Sequence, residues 1–135
     1  MYLLDTNVLS ELRRLKPHGG VVAWLEDVED TDLYLSAVSV GEIQIGIELT
    51  RRQDQPKAAE LQDWLNAIIA TRQILPMDAP AFRRWAQLMH GRSNTLIEDA
   101  MIAATALVHG LTLVTRNIRD FQDFGVALID PFSAR

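Results

Sequence analysis

Apolar residues in this chain follow two rhythms: short unbroken runs, and longer stretches in which they recur every three or four positions. The runs are Tyr2-Leu3-Leu4, Leu33-Tyr34-Leu35-Ser36, Ile74-Leu75, Leu111 to Thr115 and Val126 to Ile129. Runs that are apolar at both odd and even positions read as strands covered on both faces. The periodic stretches predict helices over Val8–Leu15, Val21–Val28, Ser39–Arg52, Lys57–Arg72, Ala79–His90 and Thr95–His109. Leu61, Trp64, Leu65, Ile68 and Ile69 mark one such stripe, and Phe82, Trp85, Ala86 and Met89 another. The segment from Thr95 to His109 has small residues along one side. Lys16-Pro17-His18-Gly19-Gly20 is a turn, Arg51 to Pro56 a polar break with Pro suited to open the next helix, and Arg116 to Phe121 a turn or short helix.

Strands that alternate with helices predict an α/β fold of three layers with a mostly parallel central sheet. At 135 residues, without repeats or a linker-like tract, residues 1–135 are expected to form a single domain. The absence of cysteine removes disulfides, thiolate zinc sites and a cysteine nucleophile, and fits a cytoplasmic home. No apolar stretch is long enough to suggest a membrane span, and no basic leader suggests secretion. A net charge of −5 disfavours a protein that coats nucleic acid by bulk charge, without excluding nucleic acid as substrate. Lys16 and Lys57 are the only lysines; the arginine pairs 13–14, 51–52 and 83–84 read first as solvated helix faces.

The chemistry rests with acids near strand ends. Asp5 directly follows the first strand, where open α/β sheets collect their ligands, although Asp is equally at home capping the next helix. Glu42 begins a helix and has Ile45, Gly46 and Leu49 as helical neighbours, yet Ser39-x-x-Glu42 also spells a capping box. In Thr95-x-x-Glu98 the box is filled by Glu98, so Asp99 is surplus, on a face with Ile102, Ala103 and Ala106. An aspartate there either pairs with a cation or is buried at a cost, and a bound cation is the preferred reading. Thr115-Arg116-Asn117 follows a later strand with Asp120 close behind, a combination that a plain turn also recruits. If these acids converge, two unit charges at about 4 Å repel by roughly 4 kcal/mol at an effective dielectric near 20. All-oxygen donors without His or Cys select Mg²⁺, with Mn²⁺ as an alternative, and phosphodiester hydrolysis is the natural chemistry of such a site.

Leu4-Asp5-Thr6-Asn7, Ser39-Val40-Gly41-Glu42, Glu98-Asp99 through Ala106, and Leu113-Val114-Thr115-Arg116-Asn117 with Asp120-Phe121 together resemble the PIN-domain ribonucleases. Within them the pattern is similar to the VapC toxins of type II toxin–antitoxin systems, in particular their FitB-like branch. The resemblance implies a cytoplasmic, Mg²⁺-dependent endoribonuclease toxin with metal held by Asp5, Glu42 and Asp99. Asp5 and Asp99 would bind directly, and Glu42 through water or as the group that orients and deprotonates it. Thr6, Thr115 and Asn117 would hold carboxylates or water in place. It further implies a cognate DNA-binding antitoxin, a homodimer, and RNA, tRNA or rRNA among the candidates, as substrate. Many PIN nucleases carry an acid where this chain has Asn117, which leaves Asn117 and Asp120 as supporting groups.

Other residues read more simply. His90 and His109, each followed by Gly, suit helix ends; His18 suits the surface; Trp24, Trp64 and Trp85 suit the core. Arg116, beside the acids, is the arginine best placed to touch RNA phosphate. A phosphatase or receiver domain fits poorly, since no second Asp stands two residues after Asp5 and no lysine follows a late strand. The remaining alternative is a catalytically weak RNA-binding or regulatory module whose acids are caps.

Overall fold

In the computed structural model, which describes residues 1–133, five strands form one sheet with helices on both faces. The strands are β1 (Tyr2–Leu4), β2 (Leu33–Ser36), β3 (Gln73–Leu75), β4 (Thr112–Val114) and β5 (Leu128–Ile129). Their order is β3-β2-β1-β4-β5, and every pairing is parallel. The helices are α1 (Thr6–Glu11), α2 (Gly19–Glu26), α3 (Ala37–Arg51), α4 (Gln55–Thr71), α5 (Ala79–Met89), α6 (Ile97–His109) and α7 (Ile118–Phe121). The three-layer α/β expectation holds, with the sheet parallel throughout.

Alternation along the strands divides the core. On β1 and β4, Leu3 and Leu113 join the α5–α6–α7 side, whereas Leu4 and Val114 join Val8, Leu9, Val21 and Trp24 on the α1–α2 side. Coverage on both faces is why these strands read as unbroken apolar runs. The small side of α6, with Ala100, Ala103, Ala104 and Ala106 buried, lets this helix lie close against the sheet. Gly110 ends α6 in the left-handed conformation at φ 65°, where its N–H reaches the last carbonyls and the chain turns into β4. Among the described residues, no helix is long and apolar enough to cross a membrane.

Helix starts differ from expectation in an instructive way. α3 begins two residues before Ser39: Ser36 caps it by accepting from the Val38 N–H, so Ser39 and Glu42 form no capping box. A 3₁₀ turn over Asn94–Leu96, capped by Ser93, precedes α6, and Thr95 caps nothing there. The face of α3 with Ile45 and Leu49 is exposed, 64% and 57%, so apolar neighbours do not bury Glu42; Ile43 and Ile47 carry the packing instead. His18 is exposed as expected and also caps α2 through Nδ1. Trp24 is core, and Trp64 and Trp85 pack at its margin.

Candidate active site

The strand order places the site. From β1 the chain first winds outward through β2 and β3, then returns to lay β4 and β5 on the other flank. The winding therefore reverses between β1 and β4, and the crevice beyond the carboxyl ends of those two strands is where such sheets bind ligands. Asp5 follows β1 there and Thr115 follows β4. The Asp5 N–H extends the pairing by donating to the Val114 carbonyl at 2.8 Å.

Asp5 is only 4% exposed, and its carboxylate is held from three sides. Oδ1 accepts from the Thr6 N–H at 2.8 Å, so the helix-cap role is real, while Oδ2 accepts from Asn7 Nδ2 at 3.1 Å and Thr115 Oγ1 at 2.7 Å. The Thr115 hydroxyl accepts in turn from the Asn117 N–H at 2.9 Å, which fixes its proton toward Asp5. Burial pushes the Asp5 carboxyl above its usual range; the bonds from Thr115, Thr6 and Asn7 oppose this and the charge of Asp120 adds to it.

Thr6 also serves the second acid. Its Oγ1 lies 2.7 Å from Glu42 Oε1 and 2.7 Å from the buried Ser39 Oγ. One hydroxyl carries a single proton; with the carboxylate accepting it, Ser39 becomes the donor to Thr6. Partial burial raises the Glu42 carboxyl, with Thr6 opposing and the charges of Asp5 and Glu98 reinforcing. Asp99, in the first turn of α6, is pushed up to about 6 by burial first, then by the charges of Asp5, Asp120, Glu42 and Glu98. No hydrogen bond offsets this rise. Its neighbours Ile102, Ala103 and Ala106 are buried as expected, and Trp85 Nε1 donates to the Ile97 carbonyl at 3.2 Å, anchoring the start of α6.

Asp99 thus lies within electrostatic reach of Asp5, Glu42, Glu98 and Asp120, Asp5 within reach of Asp120, and Glu42 within reach of Asp5 and Glu98. The ion pairs among the described residues are Arg14–Glu11, Arg51–Glu48, Lys57–Glu60 and Arg72–Asp30, none of which neutralises this group. The donor set is all oxygen and strongly negative, the chemistry a hard divalent cation needs. As the side chains stand, no three of the described His, Asp or Glu residues enclose a metal position. An ion held by these acids would need water to complete its shell. Asn117 takes part through its backbone N–H, and the Arg116 guanidinium lies over the Phe132 ring. Sequence reasoning missed Asn7 and Ser39 as members of the site; Asn7 stood in the quoted Asp5-Thr6-Asn7 motif, and Ser39 was read as a cap.

The PIN domain profile matches residues 2–126. The chain belongs to the PIN domain family. Toxin FitB of Neisseria gonorrhoeae is 37% identical over 139 residues, covering 98% of this PIN domain and 99% of FitB. VapC ribonuclease Y4jK of Sinorhizobium fredii is 35% identical over 138 residues, covering 98% of each. Among solved structures, FitAcB from Neisseria gonorrhoeae superposes with a TM-score of 0.87 at 37% identity over 99% of this PIN domain and 100% of that chain. FitAB bound to an IR36 DNA fragment gives 0.81 at 35% identity over 100% and 98%.

Proposed function

We propose that this PIN domain is a divalent-metal-dependent endoribonuclease, the toxin of a type II toxin–antitoxin pair. The observation that carries the reading is the crowding of uncompensated acids at the β1/β4 crevice, in a chain similar over its full length to a VapC ribonuclease and to toxin FitB. Asp5, Glu42 and Asp99 would hold Mg²⁺ or Mn²⁺, with Asn117 and Asp120 supporting from the β4 side. A bound ion supplies neutralisation of the substrate phosphate and acidifies the attacking water. Thr6, Asn7 and Thr115 keep the Asp5 carboxylate in one orientation, so its ligating geometry exists before substrate arrives. Glu42, half in water and with a raised pKa, is suited to accept a proton from that water. No side chain here requires a covalent intermediate.

The same similarities support a cognate antitoxin, since relatives of this PIN domain are solved as FitAB on DNA. A homodimer in the cytoplasm, and tRNA or rRNA as the RNA, complete the proposal. Incubation of purified protein with a structured RNA is the direct test. Scission in Mg²⁺, none in EDTA, and none with Asp5→Asn is the expected result. Cleavage that persists in EDTA or in the variant would refute the metal assignment, and no cleavage under any condition would favour an RNA-binding module instead.

A further inference from the structure

One aromatic ring outside the acid group ties three distant parts of the chain together at the same sheet edge. Phe132 follows β5, in a turn where its N–H donates to Asp130 Oδ1 at 2.8 Å and Ser133 Oγ donates to the Asp130 carbonyl at 2.8 Å. The Arg116 guanidinium carbon stands 4.6 Å from the Phe132 ring centroid, and the His18 ring stands 5.1 Å from it, tilted by 57°. His18 is fixed in turn: its N–H donates to Glu11 Oε1 at 2.8 Å, and its Nδ1 accepts from the Gly20 N–H at 3.0 Å. Gly20 lies against the Pro131 carbonyl so closely that a Cβ would sit 2.6 Å from that oxygen. The ring is thus held from both of its flanking segments.

Arg116 is also tied to the acids through its backbone. Its N–H donates to Asn7 Oδ1 at 3.2 Å, and Asn7 Nδ2 donates to Asp5 Oδ2. Its side chain is exposed and takes part in none of the ion pairs among the described residues. A guanidinium held over a ring still has N–H donors free for phosphate oxygens. In a chain of net charge −5, an RNA strand approaching a cluster of acids needs such a cation nearby.

We propose that Phe132 is a positioning residue which, by holding the Arg116 guanidinium over its ring, fixes this cation at the carboxyl end of β4 so that its N–H donors bind an RNA backbone phosphate. The proposal rests on the ribonuclease reading above. A long arginine left unstacked loses rotamer freedom when it binds; one already ordered on a ring does not, and the gain appears in affinity.

The test measures binding of a short fluorescein-labelled RNA by anisotropy in EDTA at several salt concentrations, with KM and kcat from cleavage in Mg²⁺. Phe132→Leu, which keeps apolar packing, should weaken binding by about 3–10-fold and raise KM by the same factor, with kcat as in the parent. Phe132→Tyr should restore the parent affinity. Arg116→Ala should weaken binding at least as much and reduce the salt slope by about one phosphate contact. The double variant should be no weaker than Arg116→Ala. Arg116→Lys leaves the ring untouched but cannot stack as a plane, and should show a similar loss should Phe132→Leu fail to fold. Parent affinity in Phe132→Leu or Arg116→Lys, losses that multiply in the double variant, an unchanged salt slope in Arg116→Ala (a base stacking on the guanidinium), or no RNA binding in EDTA would each overturn the proposal. Stack-dependent binding without Mg²⁺-dependent scission would refute the nuclease reading alone.

Discussion

Replacing Asp99 with asparagine should stabilise the metal-free protein at pH 8, although it removes a charged group from the candidate active site. The Asp99 carboxyl is raised from its ordinary 3.8 to about 6, so the folded state resists its ionisation more than the unfolded chain does. A group raised in this way favours folding fully below about pH 4, and that contribution is lost as pH climbs through about 6. For a carboxyl shut away from water the loss would be about 3 kcal/mol. Asp99 is half in solvent, and screening reduces this to roughly 1 kcal/mol. Asparagine has nearly the same shape and no charge to repel. Thermal melts in EDTA should therefore place Asp99→Asn about 3–5 °C above the parent at pH 8, with the gap closing toward pH 4. Every other titrating group is common to both proteins, so the difference reports Asp99 together with its coupling to Asp5, Asp120, Glu42 and Glu98. Added Mg²⁺ should reverse the order by stabilising the parent and not the variant. A difference that stays constant with pH, or a variant less stable than the parent at pH 8 in EDTA, would show that Asp99 is not electrostatically frustrated.

Other expectations follow from the hydrogen-bond relay. Thr115→Val removes both the donor to buried Asp5 and the acceptor for Asn117 N–H, and should cost about 1–3 kcal/mol in urea denaturation. Thr6→Val should lower kcat for RNA cleavage by about 10–100-fold with an unchanged circular dichroism spectrum, while Thr6→Ser retains most activity. A loss no larger in valine than in serine would mean that the hydroxyl does not orient Glu42. Gly20→Ala should destabilise by about 1–3 kcal/mol, read from melting curves, because the new methyl meets the Pro131 carbonyl.

Much of this architecture is legible in the chain because both faces of the sheet are covered. Covered strands read as apolar runs, and Asp99 stands out as a charge amid Ile102, Ala103 and Ala106, all of them buried. Helix starts were less legible. Ser36 and Ser39, or Ser93 and Thr95, are all competent caps, and only tertiary packing selects Ser36 for α3 and Ser93 for the turn before α6. The position of Glu42 has a cause that its own helix does not show: its neighbours Ile45 and Leu49 face solvent, and Thr6 from a different segment holds it. The stack of Arg116 on Phe132 has no local signal, since each residue alone looks like ordinary loop composition.

The bond from Thr115 to Asp5 joins residues 110 positions apart. At about 5–20 residues per second, a ribosome needs on the order of 5–20 s to add the second partner after the first. During that interval β1 lacks β4 on one flank and the carboxylate at its end lacks its Thr115 donor; for most of it Asp99 is missing as well. The order of synthesis itself thus withholds the assembled acid group until the last third of the sequence folds back against the first strand.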